Sequence, residues 1–85
     1  MTPVTVYTKP GCPYCARALR LLQSKDADVT EIVASRDPAV KAEMVQRSNG
    51  KATFPQVFIG DRHVGGSDDL AALDREGKLD ALLAA

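Results

Sequence analysis

The chain has 85 residues, 45% of them hydrophobic, enough for one small core and too few for a second, so residues 1–85 are read as a single domain. Eleven basic and eleven acidic residues cancel and are scattered without runs, which leaves no electrostatic footprint for nucleic acid or an anionic membrane. No apolar run approaches the ~18 residues of a membrane span, and Met1-Thr2-Pro3 offers neither a basic nor an apolar leader, so a cytoplasmic location is expected.

Val4 to Thr8 is apolar and β-branched, the composition of a strand. The chain then runs through Lys9-Pro10-Gly11 into Cys12-Pro13-Tyr14-Cys15, which holds both of its cysteines. Ala16 to Gln23 carries strong helix formers, so Cys12 falls at a helix N-cap and Pro13 at the first helical position, where a missing N–H is no loss. A Cys-x-x-Cys set where a strand runs into a helix is the arrangement of a thiol-disulfide redox site. In a reducing compartment the same pair would not persist as a structural staple.

The spacing makes the two sulfurs unequal. Cys12 projects from the helix start toward solvent, whereas Cys15 lines up with Leu19 and Leu22 on the core-facing stripe. One attacks and the other resolves. The attacking thiol has to ionise, because the thiolate is the nucleophile and a free thiol near ~8.5 is mostly protonated at neutral pH. The helix dipole, worth roughly 0.3–1 kcal/mol and up to about 2 when partly buried, gives about one pKa unit. Anything larger needs hydrogen bonds from the N–H groups of Tyr14 and Cys15, with a contribution from Lys9.

Lys25-Asp26 breaks the helix, and Val29-Thr30-Glu31-Ile32-Val33 reads as a second strand, parallel to the first in a βαβ unit. Asp37-Pro38 is a cap followed by proline at the first helical position; Val40, Met44 and Val45 recur at helical spacing, and Asn49-Gly50 stops the helix. Val57-Phe58-Ile59 is a short apolar run expected of a buried central strand, with Gly60-Asp61 turning into Arg62-His63-Val64 as an antiparallel hairpin. After Gly65-Gly66, Ser67 offers an N-cap with Asp68 and Asp69 in the first turn of a third helix, and Leu79, Leu82 and Leu83 suggest a short last one.

The order β-α-β-α-β-β-α is that of an α/β chain of thioredoxin-like fold, a four-stranded mixed sheet flanked by helices. Over essentially its whole length the sequence resembles the small bacterial dithiol glutaredoxins of Cys-Pro-Tyr-Cys type. The resemblance is carried by Tyr7-Thr8-Lys9 leading into Cys12-Pro13-Tyr14-Cys15, by Thr53-Phe54-Pro55-Gln56-Val57-Phe58-Ile59, and by Gly65-Gly66-Ser67-Asp68-Asp69-Leu70. Two positions depart from the family pattern. Thr53-Phe54-Pro55 stands where the family usually has Thr-Val-Pro, which changes the groove wall, and Ser67 stands where a cysteine is often found, which removes a third thiol.

The resemblance implies a glutathione-dependent thiol-disulfide oxidoreductase with Cys12 as nucleophile, Cys15 as resolving thiol, no metal, no bound cofactor, and glutathione as reducing co-substrate. Its implied partners are glutathione, glutathionylated proteins and protein disulfides, with ribonucleotide reductase a family-level candidate, and the chain is expected to be a monomer. On the same resemblance Pro55 is a cis-proline opposite the cysteines. Thr53 and Phe54 then border the groove, with the Phe54 N–H and C=O pairing with the cysteine part of glutathione like an added strand. Gly66 leads into a helix N-terminus whose Ser67 and Asp68 N–H groups take the γ-glutamyl carboxylate, while Asp68 or Asp69 meets the ammonium. Lys9 helps hold both the thiolate and the glycine carboxylate; Lys41 is a second candidate for that carboxylate and Arg47 a weaker one. Tyr14 lines the groove, Tyr7 is read as a strand residue, and His63 as a solvated edge residue.

Two rival readings meet objections in the residues. A thioredoxin-like reductase served by a flavoprotein is disfavoured by the lack of any Trp. A metal or iron-sulfur carrier would have only half of a four-thiolate site, so a dimer or glutathione would have to complete it. Pro13 also resembles the redox members.

Overall fold

Val4–Thr8 forms the first strand, β1, in a computed structural model that describes residues 1–85. The chain continues as α1 (Pro13–Ser24), β2 (Val29–Val33), α2 (Pro38–Arg47), β3 (Gln56–Ile59), β4 (Arg62–Gly65), α3 (Ser67–Arg75) and α4 (Leu79–Ala84). The sheet order is β2-β1-β3-β4. β1 pairs in parallel with β2, Val4 opposite Val29 and Thr8 opposite Val33, and antiparallel with β3, Val6 opposite Val57. The expected four-stranded mixed sheet is therefore present, with the βαβ unit and the hairpin joined along β1. No helix is long and apolar enough to cross a membrane.

Because side chains alternate along a strand, β1 feeds two cores. Val4 and Val6 join Val57 and Ile59 on one face, packed by Ala18 and Leu22 of α1, Leu70 of α3, and Leu79 and Leu83 of α4. Tyr7 and Phe58 point to the other face and pack with Ala34, just past β2, and with Met44 of α2. The central strand β3 is buried along its whole length, as its continuous apolar run predicts. Tyr7 is more than a strand residue: its hydroxyl accepts a hydrogen bond from Arg47 Nη1 at 2.8 Å, and the Arg47 guanidinium lies 4.3 Å from the Phe58 ring centroid.

Helix ends follow the capping residues. Asp37 Oδ1 accepts from the N–H groups of Ala39 at 3.0 Å and Val40 at 3.4 Å, and α2 stops where Asn49 and Gly50 take positive φ. Lys25 Nζ closes the end of α1 against the last two helices, 2.9 Å from Asp74 and 3.1 Å from Asp80. At α3 the expectation is off by one residue. Gly66, not Ser67, is the cap, and the Asp69 carboxylate reaches back to the Gly66 N–H at 3.0 Å. A carboxylate at the third helical position satisfies that amide with no side chain at the cap, which is how glycine can occupy it. Gly65 has φ of 118°, and a Cβ there would lie 2.3 Å from Asp69 Oδ2, so the close approach of this carboxylate requires glycine.

His63 stands on the edge strand β4, as expected, but is half-buried there rather than solvated. Its ring stacks on Phe58 with centroids 5.0 Å apart and planes tilted by 32°, and Nε2 lies 2.7 Å from Gln56 Oε1. Burial, helped by the charge of Lys51 and opposed by Asp69, holds its pKa below the usual histidine value.

Leu22 is fully buried at the centre of the larger core. Leu22→Ala is expected to lose about 2–5 kcal/mol, a large share of the ~5–15 kcal/mol that holds a small domain together. Urea titration should show a lower midpoint with a similar slope. An unchanged midpoint would contradict this packing.

Candidate functional site

The start of α1 is built around a sulfur. Cys12 is extended, with φ −98° and ψ 109°, and its Sγ accepts the Cys15 N–H at 3.3 Å, the bond that a serine or aspartate oxygen would make as an N-cap. Its own carbonyl accepts the Ala16 N–H at 3.1 Å, so the helix begins in register behind it. Pro13 fills the first helical position, and Gly11, at φ 68°, makes the turn from β1 into the cap. Cys12 thus stands at the positive end of the helix dipole with amide N–H groups aimed at it.

The two thiols differ in ionisation. Burial works against charge on Cys12, but hydrogen bonds from the Cys15 thiol and from the Cys15 and Tyr14 amides, with the charge of Lys9, outweigh it and lower its pKa. Cys15 is 3% exposed. Burial, followed by its hydrogen bond to Cys12 and the Cys12 charge, pushes its pKa up to about 11, against the smaller pull of Lys9. At neutral pH the pair therefore holds one accessible sulfur that can ionise and one covered sulfur that stays protonated.

Two open clefts flank the motif. On one side lie Lys9, Pro10, Gly11, Cys12, Pro13, Cys15 and Ala16, walled by Leu19 and by Glu31 of β2. On the other, Tyr14 faces Thr53, Phe54 and Pro55 across to Gly66, Ser67, Asp68 and Asp69 at the start of α3. This second cleft holds about 220 Å³, below the ~300–1,000 Å³ of pockets that enclose a drug-sized ligand, so a peptide-like ligand would lie along it as in a groove. The Phe54–Pro55 peptide bond is cis, as expected. Lys9 Nζ sits 5.9 Å from the Phe54 ring centroid and so joins the clefts: the phenyl ring that replaces the usual valine gives the lysine a face to rest on.

Of the catalytic and glutathione-contact candidates singled out in the sequence, these two clefts gather all but Lys41 and Arg47. That lysine lines a depression on α2 with Pro38, Ala42, Val45 and Gln46, and borders neither cleft. Arg47 is committed to Tyr7 and Phe58. The Ser67 side chain lies in the groove wall, with Oγ buried and unpaired. Asp68 is exposed and meets Arg17 at 3.5 Å, while one Asp69 oxygen is taken by the Gly66 amide. Sequence reading missed Lys51, which lines the groove from the loop before Thr53, and Glu31, whose Oε2 accepts from Thr8 Oγ1 at 2.8 Å. Lys51 had a usable signal, a cation two residues before the Thr-Phe-Pro turn. Glu31 had none, since one acid in a β-branched strand reads as its solvent face.

The glutaredoxin family model matches residues 4–64. The sequence is 53% identical to a glutaredoxin of Pseudomonas aeruginosa over 85 residues, the whole of both chains. The solution structure of glutaredoxin from Brucella melitensis is 60% identical and superposes with a TM-score of 0.85, over 98% of this chain and 89% of that one. The crystal structure of a buckwheat glutaredoxin–glutathione complex is 34% identical, with a TM-score of 0.87 over 98% of this chain and 77% of that one. Similarity that runs the length of the chain and brackets a Cys-x-x-Cys at the head of α1 leads to one conclusion: the chain belongs to the glutaredoxins, glutathione-dependent thiol-disulfide oxidoreductases.

Proposed function

We propose that Cys12 is the attacking thiol, Cys15 the resolving thiol, and the cleft between Phe54-Pro55 and the start of α3 the groove that receives glutathione. The observation that carries this reading is the Cys15 N–H donated to Cys12 Sγ above a buried partner sulfur. With a glutathionylated protein, the Cys12 thiolate attacks the glutathione sulfur, the protein leaves as a thiolate, and a second glutathione displaces Cys12 to release oxidised glutathione. With a protein disulfide, Cys12 forms a mixed disulfide with one protein sulfur. Cys15 then loses its proton and attacks the Cys12 sulfur, the protein leaves as a dithiol, and two glutathiones reduce the Cys12–Cys15 bond. Once Cys12 is in a mixed disulfide its charge is gone, and with it two of the influences that hold the Cys15 pKa up.

Glutathione carries a carboxylate at each end and one ammonium. The first N–H groups of α3 have no partner within the helix, which suits the γ-glutamyl carboxylate beside Ser67 and Asp68. Asp68 is the more available acid for the ammonium, because its pairing with Arg17 lies in solvent while Asp69 already holds the Gly66 N–H. Lys9 and Lys51 suit the glycine carboxylate, Tyr14 walls the groove, and the Thr53-Phe54-Pro55 backbone receives the central residue. Lys41 drops out of the proposed site. A dithiol recycled by glutathione needs a reduced thiol pool, so the cytoplasm is the proposed compartment, with glutathionylated proteins and protein disulfides as substrates and residues 1–85 working as one monomeric domain without a bound cofactor.

Alkylation with iodoacetamide tests the assignment of thiols. Cys12 should react near neutral pH, its rate falling as acid protonates it, while Cys15 stays unmodified until the pH approaches 11. Equal pH profiles for the two, read by mass spectrometry, would refute the division of roles.

Cys15→Ser should retain substantial deglutathionylation activity, since a second glutathione regenerates Cys12, and should lose turnover of intramolecular protein disulfides. Cys12→Ser should fail on both. The reverse pattern would exchange the two roles.

Asp68→Lys, at an exposed position, is expected to cost roughly 0.2–1 kcal/mol of binding, about a one-and-a-half- to fivefold rise in KM for a glutathionylated peptide. No change in KM would argue against this acid as the ammonium contact.

A further inference from the structure

Gln56 and His63 take no part in the chemistry above, yet both are held in one fixed arrangement. Gln56 opens β3, is 1% exposed, and has both ends of its amide engaged. Nε2 donates to the Thr53 carbonyl oxygen and to Thr53 Oγ1, each at 3.0 Å, and Oε1 lies 2.7 Å from His63 Nε2. The direction of this chain follows from its acceptors. A carbonyl oxygen can only accept, so the amide must turn its NH2 group toward Thr53; reversing it would set oxygen against oxygen. Oε1 then faces His63, and Nε2 of the imidazole must carry the hydrogen. Thr53 Oγ1 accepts from Gln56, so its own hydrogen is turned away from Gln56. Thr53 is exposed and lines the groove with Phe54, Ser67 and Asp68.

We propose that His63 and Gln56 are positioning residues for substrate binding: the directed chain from His63 through Gln56 fixes the Thr53 hydroxyl as a donor into the groove, where it selects a ligand group that only accepts, a carboxylate or peptide carbonyl. This rests on reading that cleft as the glutathione groove. The imidazole is braced for the task by Phe58, and burial together with Lys51 keeps it neutral against the pull of Asp69. A proton added at Nδ1 would leave the Nε2 donor in place, so the hydrogen-bond direction holds in either charge state. The same chain ties down the carbonyl of the residue that precedes Phe54, and so steadies the backbone segment that the groove presents.

The experiment measures KM and kcat for a glutathionylated peptide, with thermal unfolding as a check on the fold. Thr53→Val, which keeps the shape and removes the hydroxyl, should raise KM about two- to tenfold, the range of one neutral hydrogen bond. His63→Ala should raise KM by a similar factor with kcat within about twofold, and His63→Gln, whose Nε2 can reach the place of the imidazole Nε2, should recover most of it. Gln56→Met is a second route to the same loss, read only if its unfolding midpoint stays near that of the parent. The proposal is overturned if Thr53→Val raises KM while His63→Ala does not, or if His63→Gln is as impaired as His63→Ala, which would mean a general loss of packing. If neither Thr53→Val nor Asp68→Lys changes KM, the groove reading itself fails and this inference with it.

Discussion

An amide hydrogen bonded to a sulfur is the interaction on which the rest depends. A helix must satisfy its first N–H groups with something, and the usual choice is an oxygen that does no chemistry. Here the acceptor is Cys12, so the local requirement for a cap and the catalytic requirement for a stabilised thiolate are met by one contact. Folding the helix therefore prepares the nucleophile. The same geometry places Cys15 one turn in, where burial keeps it protonated and out of reach of solvent.

The sheet supplies the second half of the site. β1 carries the cysteine loop at its end, β3 runs antiparallel beside it, and the segment entering β3 therefore arrives at the same edge. Thr53, Phe54 and Pro55 face the helix start because of that register, and the hairpin returns through Gly65-Gly66 to set α3 opposite them. Three segments far apart in sequence meet at one groove because two of them flank neighbouring strands and the third follows the next. Asp69 and Gly65 lock the last corner, since the carboxylate that caps α3 occupies the space of a side chain that glycine lacks.

Much of this was legible in the residues. Proline at the first position of α1 and again of α2, the β-branched runs of β1 and β2, and the Gly60-Asp61 turn each carry a local preference that agrees with the fold, so element types and order could be read directly. What could not be read is what depends on two distant side chains at once. Ser67 looked like a cap, because serine is a good one, but Asp69 reaches the Gly66 amide and shifts the boundary by a residue. His63 reads as solvated on its edge strand because its partners, Gln56 and Phe58, lie across the hairpin with a bulge between them and no alternation to announce the pairing. Lys41 has the right charge and the wrong helix face, whereas Lys51, in a loop with no periodicity to give its direction, was legible only from its place two residues before Thr53-Phe54-Pro55.

The two faces of the sheet are unequally covered. One carries nine mutually packed core residues, four from β1 and β3 and five from α1, α3 and α4; the other carries four, and α2 contributes a single buried side chain, Met44, backed by the Arg47 contacts. Local opening is easiest where least apolar surface is lost, so α2 is the element that can detach while the rest stays folded. Hydrogen exchange would register this as weaker amide protection in α2 than in α1. The functional weight of such openings falls on one side of the site: the chain leaving α2 runs through Lys51 into Thr53, so a detached α2 frees the lip of the groove, while the cysteines stay pinned by the opposite core.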